Sequence, residues 1–365
     1  IGGLGSAIAW TGRDDLYVAT PDRGPADGAT TYIDRLYTLQ IRLTRVTADR
    51  YTVSPSVIDT RLLRNADNQF FTGSAAAFDP TQTEASLRLD PEGVRVSRCG
   101  DTVFVSDEYG PFLYEFKRSN GKRLHSLALP KKLLIDFPSA DPNEELSRNA
   151  CGRQANRGME GLAISPDGTR LYGLMQSPLI QDGGLDATNR RVGTNSRLIE
   201  IELATGAVRE FLYTLEDRRN GVNEILAIND HEFLVIERDG NAGTDARFKK
   251  IFKIDISGAT DIRGIKQLPS TEIPPGIAPV AKSLFIDLLD PAFGLAGAAF
   301  PEKIEGLAFG PDLEDGRHLL LVTSDNDFIA AQDTLFFAFA IEPATLPGFQ
   351  PQAVGRGGAA CAIAD

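Results

Sequence analysis

The 365-residue chain contains few of the residues that bind transition metals. It has three histidines and three cysteines, Cys99, Cys151 and Cys361. No Cys-x-x-Cys pair and no Cys/His pattern with zinc spacing occurs, which excludes an ordinary zinc site. The chain also lacks an apolar run of 18 residues, and we therefore expect no transmembrane helix.

Positively charged side chains are in the minority. The sequence has 38 Lys and Arg against 50 Asp and Glu, a formal net charge of −12. This balance argues against nucleic acid and against anionic membrane surfaces as partners. It fits a protein that collects divalent cations, and it fits equally well a protein whose charge only keeps it in solution.

Several catalytic motifs are absent as well. There is no Gly-x-Ser-x-Gly nucleophile elbow, so a serine esterase of the α/β-hydrolase type is not expected. The chain also has no Gly-x-x-x-x-Gly-Lys phosphate loop and no Gly-x-Gly-x-x-Gly after a strand.

The cysteines allow one disulfide and one spare thiol. Cys99 precedes a hairpin turn and Cys151 lies in a polar loop, so a Cys99–Cys151 bridge is sterically allowed. Such a bridge and an extracytoplasmic location would support each other. The chain starts at Ile1 rather than Met. Removal of a signal peptide would explain this start, and so would a sequence that was shortened in another way. We expect a periplasmic or secreted protein, and the absence of an Asn-x-Ser/Thr sequon favours a bacterial source.

One short phrase occurs four times, and each copy opens with a glutamate followed by mostly apolar residues. A turn and a second apolar run come next, and that run ends in polar residues. The four copies are Glu92–Val96, Glu160–Ile164, Glu224–Ile228 and Glu305–Phe309. A fifth copy, Ser6–Trp10, has serine in place of the glutamate. A strand–turn–strand unit repeated at this spacing is typical of radial β architectures.

Amphipathic strand pairs follow the repeated phrase. Leu113–Lys117, for example, turns through Asn120 and Gly121 into Arg123–Leu127. Four strands per repeat is the anatomy of a propeller blade. The sequence therefore predicts a single all-β domain over residues 1–365, a β-propeller with five recognisable four-stranded blades, or six if segment 43–91 supplies one.

The uneven spacing of the repeats indicates long loop insertions. They are expected near 43–91, 131–158, 178–196 and 257–280, which are rich in Pro, Asn, Asp and Gly. Long loops on one face of a propeller often form the rim of a binding site. Inert surface elaboration is the competing interpretation.

The repeated glutamates predict a cation site. The first strand of each blade lines the channel, so acidic side chains at its start converge at one mouth, where they repel unless a cation neutralises them. Ligation by oxygen alone suits Ca²⁺, and no histidine occupies the repeated position. The predicted metal ligands are the repeated glutamates and the acids that close the second strands: Glu92, Asp107, Glu108, Glu160, Glu224, Glu237, Glu305 and Asp325.

A structural role is the alternative for these glutamates. They would then accept hydrogen bonds from backbone N–H groups or pair with Arg23 and Arg238. Glu92 is the weakest candidate for a ligand, because Asp90 and Pro91 before it are compatible with a turn.

Arg23 and Arg238 each follow an acidic residue at matching places in the repeat. Guanidinium groups bind phosphate oxygens in a bidentate way. The expected chemistry is hydrolysis of an anionic ester. Ca²⁺ would orient the ester and lower the pKa of a bound water, and Glu160 or Glu224 would accept its proton.

Several longer phrases are similar to the phytase-like family, usually described as "esterase-like activity of phytase". They are SDEYGPFLYEF (106–116), NRGMEGLAISPDGTRLYGLMQSPL (156–179), NEILAINDHEFLVIERDG (223–240) and KIEGLAFGPD (303–312), with TPDRG (20–24) and VAKSLFIDLLD (280–290). The resemblance implies a β-propeller, usually exported by bacteria, with phosphoesterase or esterase activity. The analogy to the calcium-dependent alkaline phytases is one of fold and acidic channel, and it transfers no ligands.

The leading expectation is an exported, Ca²⁺-dependent hydrolase of phosphate or related esters that acts on a small-molecule anionic substrate. One alternative is a non-catalytic propeller, stabilised by Ca²⁺, whose long loops bind a protein or glycan partner. A second alternative is a lactonase-like hydrolase, which also holds Ca²⁺ in a propeller channel.

Overall fold

The computed structural model describes residues 2–47 and 50–355, and its strands form a five-bladed β-propeller. Each blade is an antiparallel sheet in which consecutive strands pair side by side. The propeller that the repeats predict is confirmed. It departs from the prediction in one respect, because the fifth blade has three strands in the described part of the chain and the other blades have four.

The strands of a blade follow each other from the channel outwards. The first blade contains β1 Leu4–Trp10, β2 Leu16–Pro21, β3 Arg35–Thr47 and β4 Arg50–Leu62. The second contains β5 Pro91–Val96, β6 Thr102–Asp107, β7 Phe112–Lys117 and β8 Arg123–Ala128. The third contains β9 Met159–Ile164, β10 Arg170–Met175, β11 Asn195–Glu202 and β12 Val208–Thr214. The fourth contains β13 Gly221–Ala227, β14 Glu232–Arg238, β15 Lys249–Asp255 and β16 Ala281–Asp287, and the fifth contains β17 Lys303–Phe309, β18 His318–Asp325 and β19 Phe336–Ile341.

The core consists of five apolar layers, one between each pair of neighbouring blades. Leu162 of the third blade, for example, packs in one layer with Phe104 of the second. The inner strands β1, β5, β9, β13 and β17 contact their neighbours in a closed ring. Burying one large apolar side chain stabilises a fold by about 1.5–3 kcal/mol, so these layers are the main force that holds the blades together.

Turn residues explain where the inner hairpins reverse. In the β9–β10 turn, Gly168 has φ +71°, and the Asp167 carboxylate accepts a hydrogen bond from the backbone N–H of Thr169 at 3.0 Å. In the β13–β14 turn, the Asn229 side chain accepts the N–H groups of His231 and Glu232. Side chains of this kind close short turns, as the sequence predicts.

The predicted insertions contain more regular structure than expected. Segment 43–91 includes the end of β3 and the whole of β4, so it completes the first blade, and the described residues contain no sixth sheet. Segment 131–158 contains the helix α1 Pro142–Arg148, which the Asp141 carboxylate caps at the N–H of Asn143.

The Cys99–Cys151 pairing that the sequence allows does not form. Cys151 is exposed and carries a free thiol. Cys99 is disulfide-bonded, but Cys151 is not its partner. The positions of a hairpin turn and a polar loop in the sequence do not determine whether two cysteines meet in the fold. The third cysteine, Cys361, lies outside the described residues.

The channel is closed at its lower mouth, the end where the inner hairpins turn. Segment 346–355 crosses this end and donates backbone hydrogen bonds to three blades: Gln350 to Ile228, Ala353 to Pro166 and Gly355 to Arg98. Above the segment, the Arg95 guanidinium lies 2.9 Å from the Glu224 carboxylate inside the ring. The upper mouth is the end where the inner strands begin, and a polar opening lies there.

Candidate functional site

A β-bulge interrupts every inner strand near the upper mouth. In β9 the ladder passes from Gly161 to Met159, which leaves Glu160 unpaired, and in β17 it leaves Glu305 unpaired. The corresponding irregularity in β5 contains Glu92. A bulge redirects the extra side chain, and here it places these glutamates around the end of the channel.

Glycine follows each of these three glutamates for a steric reason. A Cβ atom on Gly161 would lie 2.9 Å from the backbone nitrogen of Ile225 on the next inner strand. The repeated Glu-Gly pair thus combines a side chain directed to the mouth with a close approach of two backbones.

The bulges surround a polar cavity of about 200 Å³ at the upper mouth. Its wall holds acidic and basic side chains together with three amides. The lining acids are Asp22, Glu92, Glu108, Glu160, Glu302 and Glu305, the bases are Arg23, Arg157, Arg191, Arg219, Arg238 and Lys303, and the amides are the exposed Asn156, the half-buried Gln176 and the buried Asn223.

Glu92, Glu108 and Glu160 form the best-fitting cation site among the described residues. One carboxylate oxygen from each lies within 4.8 Å of the others. Glu92 is 6 % exposed, and no hydrogen bond or ion pair from the described part of the chain reaches its carboxylate. Burial, and then the neighbouring Glu160 and Asp22, raise its pKa well above the usual value. A divalent cation would relieve this repulsion, so the residues fit an ion held by oxygen ligands.

Two neighbouring acidic groups already have cationic side chains beside them. In the group of Asp22, Asp325 and Asp327, the Lys303 ammonium lies 3.2 Å from Asp22 and 2.9 Å from Asp327. In the group of Asp22, Asp90 and Glu92, the Arg23 guanidinium lies 2.6 Å from Asp90. Arg23 also lies 3.7 Å from Glu108 in the site around Glu92, but no cationic side chain of the described residues pairs with Glu92 itself. Asp325, a predicted ligand, belongs to the group beside Lys303, whose ammonium lies 3.9 Å from its carboxylate.

The two arginines predicted to receive an anion both have carboxylate partners. Arg23 binds Asp90 and Asp27 and is almost fully buried. Arg238 lies 2.8 Å from a Glu305 oxygen. Both arginines thus take the structural role that the sequence offered as the alternative, in which they pair with acidic side chains. Both side chains also line the cavity.

Two other arginines are better placed to bind an anion, and the sequence analysis missed them. Arg157 donates to the Gln176 side chain at 3.1 Å, and Arg191 donates to the Asn220 carbonyl at 3.3 Å. Within residues 2–47 and 50–355, neither forms an ion pair with a carboxylate. Burial lowers the pKa of both, and the nearby Arg157 also contributes to lowering that of Arg191, to about 10. Their only sequence signal was their position in the insertions 131–158 and 178–196, which were expected to form the rim.

Glu224 does not face the cavity, contrary to its predicted equivalence with Glu160 and Glu305. It pairs in register with Ile236, and the unpaired residue of the β13 bulge is Asn223. The Glu224 carboxylate accepts the N–H groups of Leu162 and Ile225 and contacts Arg95. Burial raises its pKa to about 7 despite Arg95. The alignment of Glu224 with Glu160 is therefore off by one residue, since the bulge residue of β13 comes directly before Glu224.

Two further predicted ligands also lie away from the cavity. Glu237 accepts hydrogen bonds from the Tyr213 hydroxyl and the Asn220 amide and binds Lys282 at 2.6 Å. Asp107 accepts the N–H groups of Asp90 and Tyr109, and burial raises its pKa to about 8. Both carboxylates hold elements of the fold together.

The family of the chain follows from a match over most of its length. A family model described as "Phytase-like: Esterase-like activity of phytase" matches residues 1–328. The chain belongs to this family. A curated relative from Arthroderma benhamiae, named "Uncharacterized secreted protein", is 28 % identical over 94 % of this chain and 86 % of its own length. No helix among the described residues is long and apolar enough to cross a membrane.

Solved structures resemble this phytase-like propeller only distantly. Kuenenia stuttgartiensis hydrazine synthase has a TM-score of 0.40 at 11 % identity and is matched over 89 % of this chain and 77 % of its own. Myxococcus xanthus glutaminyl cyclase also has a TM-score of 0.40 at 11 % identity, over 93 % of this chain and 92 % of its own. A 6-phosphogluconolactonase-like protein from Bacteroides uniformis has a TM-score of 0.38 at 12 % identity, over 92 % and 85 %. Likenesses at this level carry no argument about function.

Proposed function

We propose that this phytase-like propeller is an exported hydrolase of phosphate or related esters and that its upper mouth holds Ca²⁺. The observation that carries the proposal is the buried Glu92 carboxylate, which has acidic neighbours and no cationic partner from the described residues. A calcium ion bound there would supply positive charge next to an anionic ester and would favour ionisation of nearby water.

Two arginines in the lining of the cavity support an anionic substrate. Arg157 and Arg191 line the same cavity as Glu92 and are not neutralised by described carboxylates. Their guanidinium groups would bind the ester's negatively charged oxygens by charge-assisted hydrogen bonds. A bound cation and these two arginines would together hold and orient the ester in the cavity.

Glu160 is the residue best placed to accept a proton. Burial, and then Glu108 and Glu305, raise the pKa of Glu160, and the Gln176 amide donates to one of its oxygens. Water would attack the phosphorus or carbonyl carbon while one of its protons passes to Glu160. The bond to the alcohol oxygen then breaks, and the same proton moves from Glu160 to the departing alcohol. Glu224 lies outside the cavity and takes no part.

Export has two supports. The curated relative is named as a secreted protein, and Cys99 is disulfide-bonded, as is common in oxidising compartments. Fractionation of cells that express the full-length protein would test this. Recovery of the protein only from the cytosol would contradict export.

The cation and the reaction are tested together with Glu92→Gln. We expect this variant to lose most Ca²⁺ binding in isothermal titration calorimetry and most turnover of a generic phosphomonoester, because the amide cannot supply the missing negative charge. The matched control is Glu144→Gln, on the exposed face of α1, which should behave as the unmodified protein. Equal Ca²⁺ affinity in both variants would overturn the metal site, and bound Ca²⁺ without turnover would favour a non-catalytic binding module.

A further inference from the structure

Asn223 occupies the bulge of β13, the position that corresponds to Glu160 in β9 and Glu305 in β17. Its side chain lines the cavity at the upper mouth, and the residue is 2 % exposed. Neither its amide nitrogen nor its carbonyl oxygen has a hydrogen-bond partner among the described residues.

The half-buried amide of Gln176 in the same wall provides a comparison. Gln176 donates to Glu160 and accepts from Arg157, so both ends of its side chain are satisfied by the protein. A buried polar group left without partners typically costs about 1–3 kcal/mol. Unlike Gln176, Asn223 therefore has a free N–H₂ donor and a free carbonyl acceptor with which to bind a ligand in the cavity.

The amide chemistry narrows what Asn223 would bind. A cation would use only the carbonyl oxygen, and an anionic ester oxygen would use only the N–H₂ group. A hydroxyl group is both a donor and an acceptor, so it can satisfy both ends of one amide. Asn223 also replaces a glutamate of the ring, which makes its part of the wall neutral.

We propose that Asn223 binds a hydroxyl group of the substrate, so that the preferred ligands are anionic esters of hydroxylated alcohols. This inference rests on the proposed function, because it assumes that the anionic group is held between the Glu92 site and the arginines. Asn223 then acts as a specificity-determining residue that selects among anionic esters.

The test compares two probes that differ in hydroxyl groups, glycerol 1-phosphate and propyl phosphate. Their dissociation constants are measured by calorimetry on the full chain with saturating Ca²⁺. We expect the unmodified protein to prefer glycerol 1-phosphate by about tenfold, the effect of one well-placed hydrogen bond. Asn223→Ala and the nearly isosteric Asn223→Leu should bind both probes equally, with the affinity for propyl phosphate unchanged. Asn143→Ala, at an exposed position of α1, is the matched control and should keep the preference.

The other outcomes separate this inference from the proposed function. A preference that survives in both Asn223 variants, or no preference in the unmodified protein, would overturn the role of Asn223 and leave hydrolysis standing. A loss of Ca²⁺ affinity in both variants would indicate that Asn223 is a metal ligand, and this too would overturn its proposed role in binding a hydroxyl group. A preference for glycerol 1-phosphate without turnover of either probe would support the role of Asn223 and contradict catalysis. If neither probe binds, both proposals are overturned.

Discussion

At the scale of single residues, the charge of a side chain was easier to predict than its partner. The sequence identified Glu92, Glu160 and Glu305 as residues at the channel mouth, and all three line the cavity. It could not show that Arg238 neutralises Glu305 while Glu92 lacks such a partner. Those differences depend on contacts between residues far apart in the chain, which a local pattern does not contain.

The surroundings of Glu224 also could not be read from the local sequence. Its burial predicts that the stability of the protein depends on pH. Its pKa is raised from 4.5 to about 7 in the folded protein, mainly by burial. The folded state therefore binds this proton more tightly than the unfolded state, and the contribution of Glu224 to stability falls as pH rises from about 4.5 to 7. The shift corresponds to about 3 kcal/mol.

Glu224→Gln should remove this part of the pH dependence, since an amide does not ionise and its carbonyl can still accept the two backbone N–H groups. We expect the free energy of unfolding of the variant, relative to the unmodified protein, to increase between pH 5 and pH 8. Urea unfolding at both pH values measures it. Parallel pH profiles for the two proteins would show that the Glu224 carboxylate ionises in the folded protein as it does in the unfolded chain.

At the scale of strands, the repeat predicted the inner hairpins well and the bulges not at all. Alternating apolar residues and turn residues are enough to specify a hairpin. The segments "NEILAI" and "MEGLAI" look alike in sequence, but the unpaired residue of the bulge is Asn223 in the first and Glu160 in the second, so Glu224 is not equivalent to Glu160. The informative signal was the missing glycine: Glu224 is followed by Ile225, whereas Glu160 and Glu305 are followed by Gly161 and Gly306.

The role of that glycine can be tested with Gly161→Ala. The added methyl group would lie 2.9 Å from a backbone nitrogen of β13, which cannot move without shifting the inner strand. We expect a loss of stability of about 1–3 kcal/mol, typical of overpacking a close contact, measured by urea unfolding. The control is Gly264→Ala, where no neighbouring atom lies within 4 Å of the added carbon. If the two substitutions have equal effects, steric contact between β9 and β13 is not the reason for the glycine.

At the scale of the whole molecule, the two mouths of the propeller are built by different contacts. The first and last blades are adjacent in space, and Thr323 donates to the Gly5 carbonyl while Lys303 binds Asp22. Non-covalent contacts of this kind close the ring beside the candidate site. At the other end, segment 346–355 joins the second, third and fourth blades through backbone hydrogen bonds.

This separation predicts that a chain ending at residue 346 becomes less stable but still binds Ca²⁺ at the upper mouth. The shortened chain loses the hydrogen bonds from Gln350, Ala353 and Gly355 and the packing of Val354 against Gly12, and it also lacks Cys361, so Cys99 no longer has a cysteine other than Cys151 to pair with. Each hydrogen bond contributes about 0.5–1.5 kcal/mol, so we expect a clear fall in the urea midpoint. The Ca²⁺ affinity should not change, because the Arg95–Glu224 pair lies between the segment and the Glu92 site. A parallel loss of Ca²⁺ affinity in a folded protein would show that the lower mouth controls the geometry of the upper one.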